Sequence, residues 1–373
     1  MNNFKEALEE KINTSLLNNY GIENYDEYRS GKYVEKITTE SIFQKTKNLA
    51  KKILRYNEPK APYLIIKDSI IHEYGSRLQQ LWELLNQTDK ELVVSLIAYR
   101  ILGYKKVKLS RNNKEYWAAI ESAKSLADSK DTYDPHFMHF ILEKFDLAPI
   151  GYDIKIYFSE VAIAIDFIIE QYVYKRNGKN LVEAEKGDTV LDIGGCWGDT
   201  SLYFAHKVGK NGKVYSFEFI PDNIKLFKLN TSFNPHLLPQ IELIPNPVFN
   251  STGEIVYYKD FGPGSRVEFA PFDEQTGTTT TITVDDFVQS NNITKVDFIK
   301  MDIEGAEPYA LKGAIETIKK FRPKLAIAIY HSLDDFVNIS QWILDLNLGY
   351  EIFIGHYTIH SEETVCFAKP RNR

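Results

Sequence analysis

The chain has 373 residues, of which 43% are hydrophobic and 26% charged, as in folded soluble proteins, and this length suggests two domains or one domain with an extension. Its net charge of −6 argues against a nucleic-acid-binding protein, which usually carries a basic surface stripe. Cys196 and Cys366 form no metal-binding motif and predict reduced thiols in a cytoplasmic protein. Early acidic residues and the lack of a long apolar run predict no secretory signal and no transmembrane segment.

Residues 1–150 are predicted to form a separate, mostly helical N-terminal domain. Residues 1–57 are charged and helix-like, and the basic stretch at 45–52 is interpreted as a solvated helix face. A buried stripe is predicted from four apolar residues at helical spacing, Leu78, Leu81, Trp82 and Leu85. Thr88 and Glu91 have the spacing of a capping box and predict the start of a second helix. We expect this domain to help bind the acceptor or a second subunit, or only to stabilise the rest.

From residue 187 onward, strand-like and helix-like segments alternate. Strands are predicted at 189–193, 213–218, 241–248, 296–301, 323–331, 349–355 and 363–369. Helices are predicted at 199–209, 222–232, 307–320 and 334–346. This alternation predicts an α/β domain over residues 151–373, with a mainly parallel sheet covered by helices on both faces. No helix separates the last two strands, which predicts an antiparallel pair, and an insertion at 251–286 is expected to form an extra hairpin over the site.

A glycine-rich turn connects the first strand of this region to the next helix. Residues 188–199 read Asp-Thr-Val-Leu-Asp-Ile-Gly-Gly-Cys-Trp-Gly-Asp. Glycine lets a ligand approach the backbone closely, and the helix N-terminus beyond the turn offers unpaired N–H groups. Glu218 ends the next predicted strand, where a carboxylate can bind the hydroxyls of a ribose. The sequence therefore predicts a nucleoside-cofactor site.

The spacing of the turn argues against a dinucleotide. The dinucleotide fingerprint G-x-G-x-x-G requires glycine at positions 194, 196 and 199, but this chain has Cys196 and Asp199. The turn instead reads D-x-G-G-x-x-G from Asp192. S-adenosylmethionine lacks a pyrophosphate and carries a sulfonium and an ammonium group, so nearby carboxylates such as Asp192 and Glu218 suit it.

A second motif, at residues 297–313, resembles the hallmark of the FkbM-type methyltransferases. That hallmark is an I-K-x-D-x-E-G-A-E run at the end of the fourth strand, and the residues that match it are Ile299, Lys300, Asp302, Glu304, Gly305, Ala306 and Glu307. The segments at 217–223, 329–331, 356–357 and 363–365 are similar to the family too. The resemblance covers residues 172–368. It implies a class I (Rossmann-like) methyltransferase fold, a seven-stranded sheet of order 3-2-1-4-5-7-6, and S-adenosylmethionine as the cofactor.

Candidate site residues lie where strands end, because ligands of open α/β sheets bind beyond the carboxyl ends of the strands. The predicted cofactor-binding residues are Asp192, Gly194, Gly195, Gly198, Glu218, Asn223, Asn246 and Asp302. Methyl transfer to a hydroxyl needs alignment of the reactants and benefits from a base. His331 is the first candidate, because the ordinary pKa of histidine lies near neutral pH, although a strand-end histidine can also be structural. Glu304 and Lys300 are the other candidates, and pairing of Lys300 with a carboxylate is an equal alternative.

No metal site is predicted. Asp302, Glu304 and Glu307 form a carboxylate cluster that could hold Mg²⁺ or Ca²⁺, but binding of acceptor hydroxyls or capping of the helix at 307 is the favoured interpretation. His136 and His139 are three residues apart and have no obvious third ligand. Trp197 is expected to be exposed near the turn, where it could stack on an adenine or a sugar ring.

The sequence thus predicts an S-adenosylmethionine-dependent O-methyltransferase that acts on a hydroxyl of a sugar, a glycan or a related small molecule. Two alternatives stay open at this point. A nicotinamide-dependent oxidoreductase is disfavoured by Cys196 and Asp199, which replace fingerprint glycines. A non-catalytic cofactor-binding assembly module is disfavoured by the intact acids at 192, 218, 302 and 304.

Overall fold

The computed structural model describes residues 3–34 and 61–371. The chain divides into two compact units, one within residues 1–83 and 93–109 and the other within 84–92 and 110–373. The predicted domain limit at residue 150 stays a prediction. The basic stretch at 45–52 lies outside the described residues. No helix of the described ranges is both long and apolar enough to cross a bilayer.

The smaller unit is helical where it is described. Its helices are α1 (Phe4–Leu16), α2 (Glu27–Ser30), most of α3 (Pro62–Leu84) and most of α4 (Gln87–Leu102). The predicted apolar stripe on α3 is confirmed for Leu78 and Leu81, which are buried. The side-chain amide of Asn24 donates to the carbonyls of Tyr104 and Val107, both at 2.6 Å, so the chain before α3 is tied to the segment after α4.

The larger unit begins with elements that the sequence did not predict. Helix α5 (Lys114–Lys124) leads into an antiparallel sheet of β1 (Ala127–Tyr133), β2 (Leu142–Asp146) and β3 (Lys155–Phe158). A short helix α6 (Glu160–Ile163), which continues as a π-helical turn over Ala164–Ile169, and a hairpin of β4 (Tyr174–Arg176) and β5 (Lys179–Val182) follow.

The centre of this unit is a seven-stranded sheet. Its strands are β6 (Thr189–Ile193), β7 (Lys213–Phe217), β8 (Ile241–Ile244), β12 (Phe298–Met301), β13 (Lys324–Ala328), β14 (Tyr350–His356) and β15 (Thr364–Pro370). The order β14-β15-β13-β12-β6-β7-β8 is 3-2-1-4-5-7-6 when these strands are counted along the chain and the list is read from the β8 edge. All neighbours are parallel except β15, which is antiparallel to both β13 and β14. The mainly parallel Rossmann-like sheet is therefore confirmed.

Both faces of the central strands are covered, because every residue of β12 and β13 is buried, as parallel sheets require. The helices that follow the strands are α7 (Asp199–Val208), α8 (Pro221–Ser232), α9 (Val284–Ser290), α10 (Glu307–Lys312), α11 (Ile315–Phe321) and α12 (Leu333–Asp345). The single helix predicted at 307–320 is wrong: it is broken at Gly313, where a Cβ would lie 2.2 Å from the Phe249 carbonyl oxygen.

The insertion between β8 and α9 forms a small sheet and not a simple hairpin. Strand β9 (Ile255–Tyr258) pairs antiparallel with both β10 (Val267–Glu268) and β11 (Gly277–Thr280). A 3₁₀ turn at Gly262–Gly264 precedes β10. This arrangement brings the turn and β10 to the edge of the cavity described below.

The first turn of α4 belongs to the larger unit, and the Asp89 side chain makes hydrogen bonds within that unit. Its carboxylate accepts hydrogen bonds from the Tyr174 hydroxyl (2.7 Å) and from the Ile354 backbone N–H in β14 (3.0 Å). Asn86 Oδ1 accepts from the Asp89 N–H at 3.1 Å. The helix therefore begins before Thr88, and the predicted capping-box start is wrong.

Replacement of Asp89 by alanine should destabilise the protein. The Ile354 N–H and the Tyr174 hydroxyl would each lose a buried acceptor, at about 1–3 kcal/mol per unsatisfied group. Thermal unfolding of Asp89→Ala should show a clear loss against wild type, while Asp273→Ala, at an exposed position, should unfold like wild type. Equal stability of the two variants would contradict this role.

Candidate active site

A polar row crosses three neighbouring strands inside the otherwise apolar sheet. Asp192 in β6 is in register with Ser216 in β7 and with Lys300 in β12, so the three side chains point to the same face. The Lys300 ammonium lies 3.3 Å from Asp192 Oδ1. The carboxylate of Asp192 also accepts hydrogen bonds from the hydroxyls of Thr200 (2.9 Å) and Ser201 (2.6 Å) in α7. Asp192 is thus fully satisfied within the protein.

Two of the predicted site residues, Asp192 and Lys300, belong to this row and lie inside the sheet. Asp192 is completely buried and Lys300 is nearly so, and neither lines the cavity. Burial alone would lower the pKa of Lys300, but the carboxylates of Asp192, Asp302 and Asp199 outweigh it and raise that pKa. A protonated, enclosed ammonium has no lone pair that could accept a proton. Lys300 is therefore no longer a candidate base, and the alternative, its pairing with a carboxylate, is the arrangement observed.

Lys300 also fixes the glycine turn. Its ammonium donates to the carbonyl of Gly194 at 2.5 Å. The N–H groups of Gly194 and Gly195 both donate to the Phe217 carbonyl, at 3.1 and 2.9 Å. A Cβ on Gly194 would lie 1.9 Å from the Asp302 carbonyl oxygen, and one on Gly195 would lie 2.0 Å from Ser216 Oγ. Both positions therefore require glycine.

The turn opens onto a cavity of about 560 Å³, within the range of small-molecule sites, roughly 300–1,000 Å³. Of the predicted cofactor residues, five line this cavity: Gly194, Glu218, Asn223, Asn246 and Asp302. Gly195 and Gly198 do not line it. Gly198, at φ +88°, is the N-cap of α7, so its part is to shape the turn.

Glu218 lines the cavity. Its Oε1 accepts from the N–H groups of Phe219 and Ile220, both at 2.7 Å, at the start of α8. Burial raises the pKa of Glu218 to about 7, against the lowering effect of these hydrogen bonds. Asn223 and Asn246 hold neighbouring loops: their amides donate to the carbonyls of Gly262 (3.2 Å) and Thr280 (3.0 Å).

A cluster of carboxylates around one imidazole borders the same cavity. His331 follows β13, and its Nε2 lies 3.5 Å from Asp302 Oδ1 and 3.8 Å from Glu304 Oε1. Its Nδ1 lies 3.2 Å from Oε1 of the fully buried Glu307. Asp302 and Glu304 line the cavity, whereas His331 and Glu307 stand behind them.

His331 was the first candidate base because the ordinary pKa of histidine lies near neutral pH, but its surroundings raise this pKa. Burial would lower its pKa, but the carboxylates of Glu304, Glu307 and Asp302 outweigh burial and raise the pKa to about 11. The imidazole is therefore protonated at neutral pH and does not titrate between 6 and 7. Glu304 is the remaining candidate base on the cavity wall.

Several site residues were missed from the sequence. Arg266, in the insertion, lines the cavity, and its guanidinium lies 3.8 Å from Glu304 Oε2. The hydroxyls of Tyr172 (3.4 Å) and Tyr330 (3.1 Å) donate to Asp302. Only Tyr330 carried a signal, its place beside His331. Trp197 was predicted exposed but is buried, with its indole N–H on the Asn223 side-chain oxygen at 3.0 Å.

The fold and the site together define a Rossmann-like domain with a ligand cavity at the carboxyl ends of its strands. Residues 182–352 match the family model of the methyltransferase FkbM domain. The match covers slightly less than half of the chain, and over these residues the chain is similar to the FkbM methyltransferase domain. This match confirms the family predicted from the sequence and, with it, S-adenosylmethionine as the cofactor.

Similar folds occur among solved structures. A methyltransferase FkbM from Methylobacillus flagellatus has 19% identity and a TM-score of 0.49, and the match covers 80% of this chain and 60% of that one. Aeropyrum pernix fibrillarin, solved with S-adenosyl-L-methionine, has 12% identity, a TM-score of 0.33 and coverages of 64% and 96%. An S-adenosylmethionine-dependent O-methyltransferase from Thermotoga maritima has 14% identity, a TM-score of 0.31 and coverages of 51% and 62%. No curated protein matches significantly.

Removal of the buried Lys300 ammonium should lower the free energy of unfolding. In Lys300→Met, the Asp192 carboxylate would stay buried without its counter-charge, at a cost of about 3–5 kcal/mol in the free energy of unfolding. Urea unfolding measures this loss, and Lys319→Met, which changes an exposed lysine, serves as the matched control.

The double variant Asp192→Asn/Lys300→Met removes both charges. It should lose less stability than the sum of the two single variants, because neither partner is left charged and alone. Additive losses would show that the pair does not interact as described.

Proposed function

We propose that the chain is an S-adenosylmethionine-dependent O-methyltransferase that acts on a hydroxyl of a sugar, a glycan or a related small molecule. The observation that carries this proposal is one cavity lined by Glu218, which follows β7, and by Asp302 and Glu304, which follow β12. Glu218 suits the hydroxyls of a ribose, and Asp302 and Glu304 suit the hydroxyls of an acceptor. The methyl group of a cofactor bound at the turn would then be within the same cavity as the acceptor.

The cofactor end supports a nucleoside without a pyrophosphate. The N–H groups of Gly194 and Gly195 both donate to the Phe217 carbonyl, so they are not free to bind phosphates. Glu218, once ionised, can accept hydrogen bonds from two ribose hydroxyls. The same features count against the oxidoreductase alternative, since a dinucleotide needs those N–H groups for its pyrophosphate.

The acceptor end supports transfer to oxygen. The hydroxyl oxygen attacks the methyl carbon, the O–CH₃ bond forms as the S–CH₃ bond breaks, and the electron pair of the broken bond leaves with sulfur. The hydroxyl proton passes to a base, and Glu304 is the carboxylate on the cavity wall placed to accept it. Alignment of the three reacting atoms supplies much of the rate, and the base adds about 10²–10⁴-fold.

A sugar-like acceptor is supported by the lining of the cavity. Phe249 stacks on Tyr309 with 4.7 Å between ring centroids, and Phe269 lies 4.7 Å from Phe249. All three line the cavity, and Phe269 and Tyr309 are about half exposed. Aromatic faces pack against the apolar faces of sugar rings, while the carboxylates and Arg266 can bind their hydroxyls. A cytoplasmic location stays a prediction from the sequence.

Mass spectrometry of glycans and nucleotide sugars is the direct test of the acceptor. Extracts of a host with the gene should contain species that carry one additional methyl group on oxygen, and extracts of a host without the gene should lack them. The purified protein should then convert S-adenosylmethionine to its demethylated product only when such an acceptor is present. Methylation confined to nitrogen or carbon would refute the O-methyl assignment.

Cofactor affinity should depend on pH through Glu218. Its raised pKa of about 7 means that it is mostly protonated at pH 6 and mostly ionised at pH 8. The ionised form is the better acceptor, so the dissociation constant of S-adenosylmethionine should be roughly tenfold higher at pH 6 than at pH 8. Calorimetry at both pH values measures the difference.

Glu218→Gln should bind about 1.5–3 kcal/mol more weakly at pH 8 and lose most of the pH dependence. Glu242→Gln, an exposed change on the neighbouring strand β8, should behave like wild type. Unchanged affinity in a folded Glu218→Gln protein would remove this residue from the cofactor site.

Replacement of Glu304 should separate chemistry from cofactor binding. Glu304→Gln should lower kcat for the methylated acceptor by about 10²–10⁴-fold while cofactor affinity stays within about twofold, because the proposed ribose-binding carboxylate is that of Glu218. Glu316→Gln, exposed on α11, is the matched control. If Glu304→Gln keeps the kcat of wild type, Glu304 is not the base.

A further inference from the structure

We propose that Asp302, Glu307 and His331 form a binding site for a divalent transition-metal cation beside the methyl-transfer site. Each residue offers one ligand atom, and these three atoms lie within 4.8 Å of one another. The cation-binding claim stands on these residues alone. Its catalytic consequence rests on the function proposed above.

The buried atoms of this cluster lack hydrogen-bond partners. Neither imidazole nitrogen of His331 makes a hydrogen bond, and neither does Glu307 Oε2, although all three atoms are shielded from solvent. The His331 side chain is 5% exposed and that of Glu307 0%. Glu307 Oε1 lies 3.2 Å from His331 Nδ1, yet not in hydrogen-bond geometry. Buried polar atoms are rarely left without partners, and a coordinated cation would supply one.

The charge balance of the cluster also favours a cation. Three carboxylates, those of Asp302, Glu304 and Glu307, surround one imidazole, and the single charge of protonated His331 does not balance them. Arg266 lies 3.8 Å from Glu304, and its side chain is 68% exposed. Carboxylates this close together need compensating positive charge. A divalent cation that replaces the imidazole proton raises the positive charge within the cluster from one to two.

The donor set indicates the kind of cation. One imidazole nitrogen and two carboxylate oxygens suit Mn²⁺, Fe²⁺ or Zn²⁺, whereas Mg²⁺ and Ca²⁺ prefer oxygen ligands alone. Three protein ligands leave coordination positions open, as in catalytic metal sites. This is a different set from the all-carboxylate cluster considered from the sequence, because His331 comes from the strand beside it.

The site faces the place where the acceptor would bind. Asp302 lines the cavity together with Glu304 and Gly305, so the open positions of the cation would be reached from that side. A cation there would bind an acceptor oxygen and favour its deprotonation. It would therefore select acceptors whose reacting hydroxyl oxygen can reach the cation.

Binding of Mn²⁺ to the full-length protein is the test, without cofactor or acceptor. The protein is stripped with EDTA, dialysed and titrated with Mn²⁺ while the electron paramagnetic resonance signal of free Mn²⁺ is recorded. One Mn²⁺ per chain should bind saturably. Asp302→Asn, Glu307→Gln and His331→Gln should each weaken binding by about tenfold or more. His72→Gln and Glu316→Gln, at exposed positions, should bind like wild type.

Thermal unfolding checks that each ligand variant is folded, and the folded ones decide the outcome. Absence of saturable binding to wild type, or equal binding by folded ligand variants, would overturn the site. Methyl transfer that persists in EDTA at the wild-type rate would overturn its catalytic part and leave the proposed function intact. Mn²⁺ binding without any methyl transfer would contradict the proposed function and leave the site intact.

Discussion

The buried ion pair between Asp192 and Lys300 is the constraint on which the rest of the site depends. The two residues lie opposite each other on adjacent parallel strands, so the sheet register alone brings them together. Desolvation of two charges is costly unless their remaining hydrogen-bonding groups are satisfied. Thr200 and Ser201 satisfy the carboxylate, and the Gly194 carbonyl accepts from the ammonium. The charge pair thus determines both the start of α7 and the path of the glycine turn.

The glycine turn also positions Asp302, one of the carboxylates that line the cavity. Gly194 approaches the Asp302 backbone so closely that a Cβ would overlap its carbonyl oxygen. Asp302 follows β12 directly, and its N–H donates to the Ile193 carbonyl at 3.0 Å. The cofactor turn and the candidate acceptor site are therefore joined by backbone contacts. These contacts fix the distance between the two segments.

The sequence was informative wherever local pattern and site coincide. The mainly parallel sheet, the glycine turn and Glu218 at the cavity followed from alternating apolar segments and from motif spacing, whereas the strand order followed only from the family resemblance. The role of Lys300 did not, because a lysine in a motif looks the same whether it faces a ligand or a carboxylate on the next strand. The elevated pKa of His331 was equally hidden, since three carboxylates reach it only through the tertiary fold. The strands at 127–158 were missed because their apolar alternation is weak and partly exposed.

The backbone conformation between β12 and α10 explains how Asp302, Glu304 and Glu307 of one short motif come close together. Glu304 and Gly305 both have positive φ, +58° and +95°, so the chain reverses within two residues. This reversal lets Glu307 accept the Ile303 N–H at 2.7 Å while Asp302 stays on the cavity wall. A left-handed conformation at a glutamate costs roughly 1–3 kcal/mol, and a glycine there would avoid it. The side chain at 304 is thus present at the expense of stability, which agrees with the proposal that its carboxylate is the base.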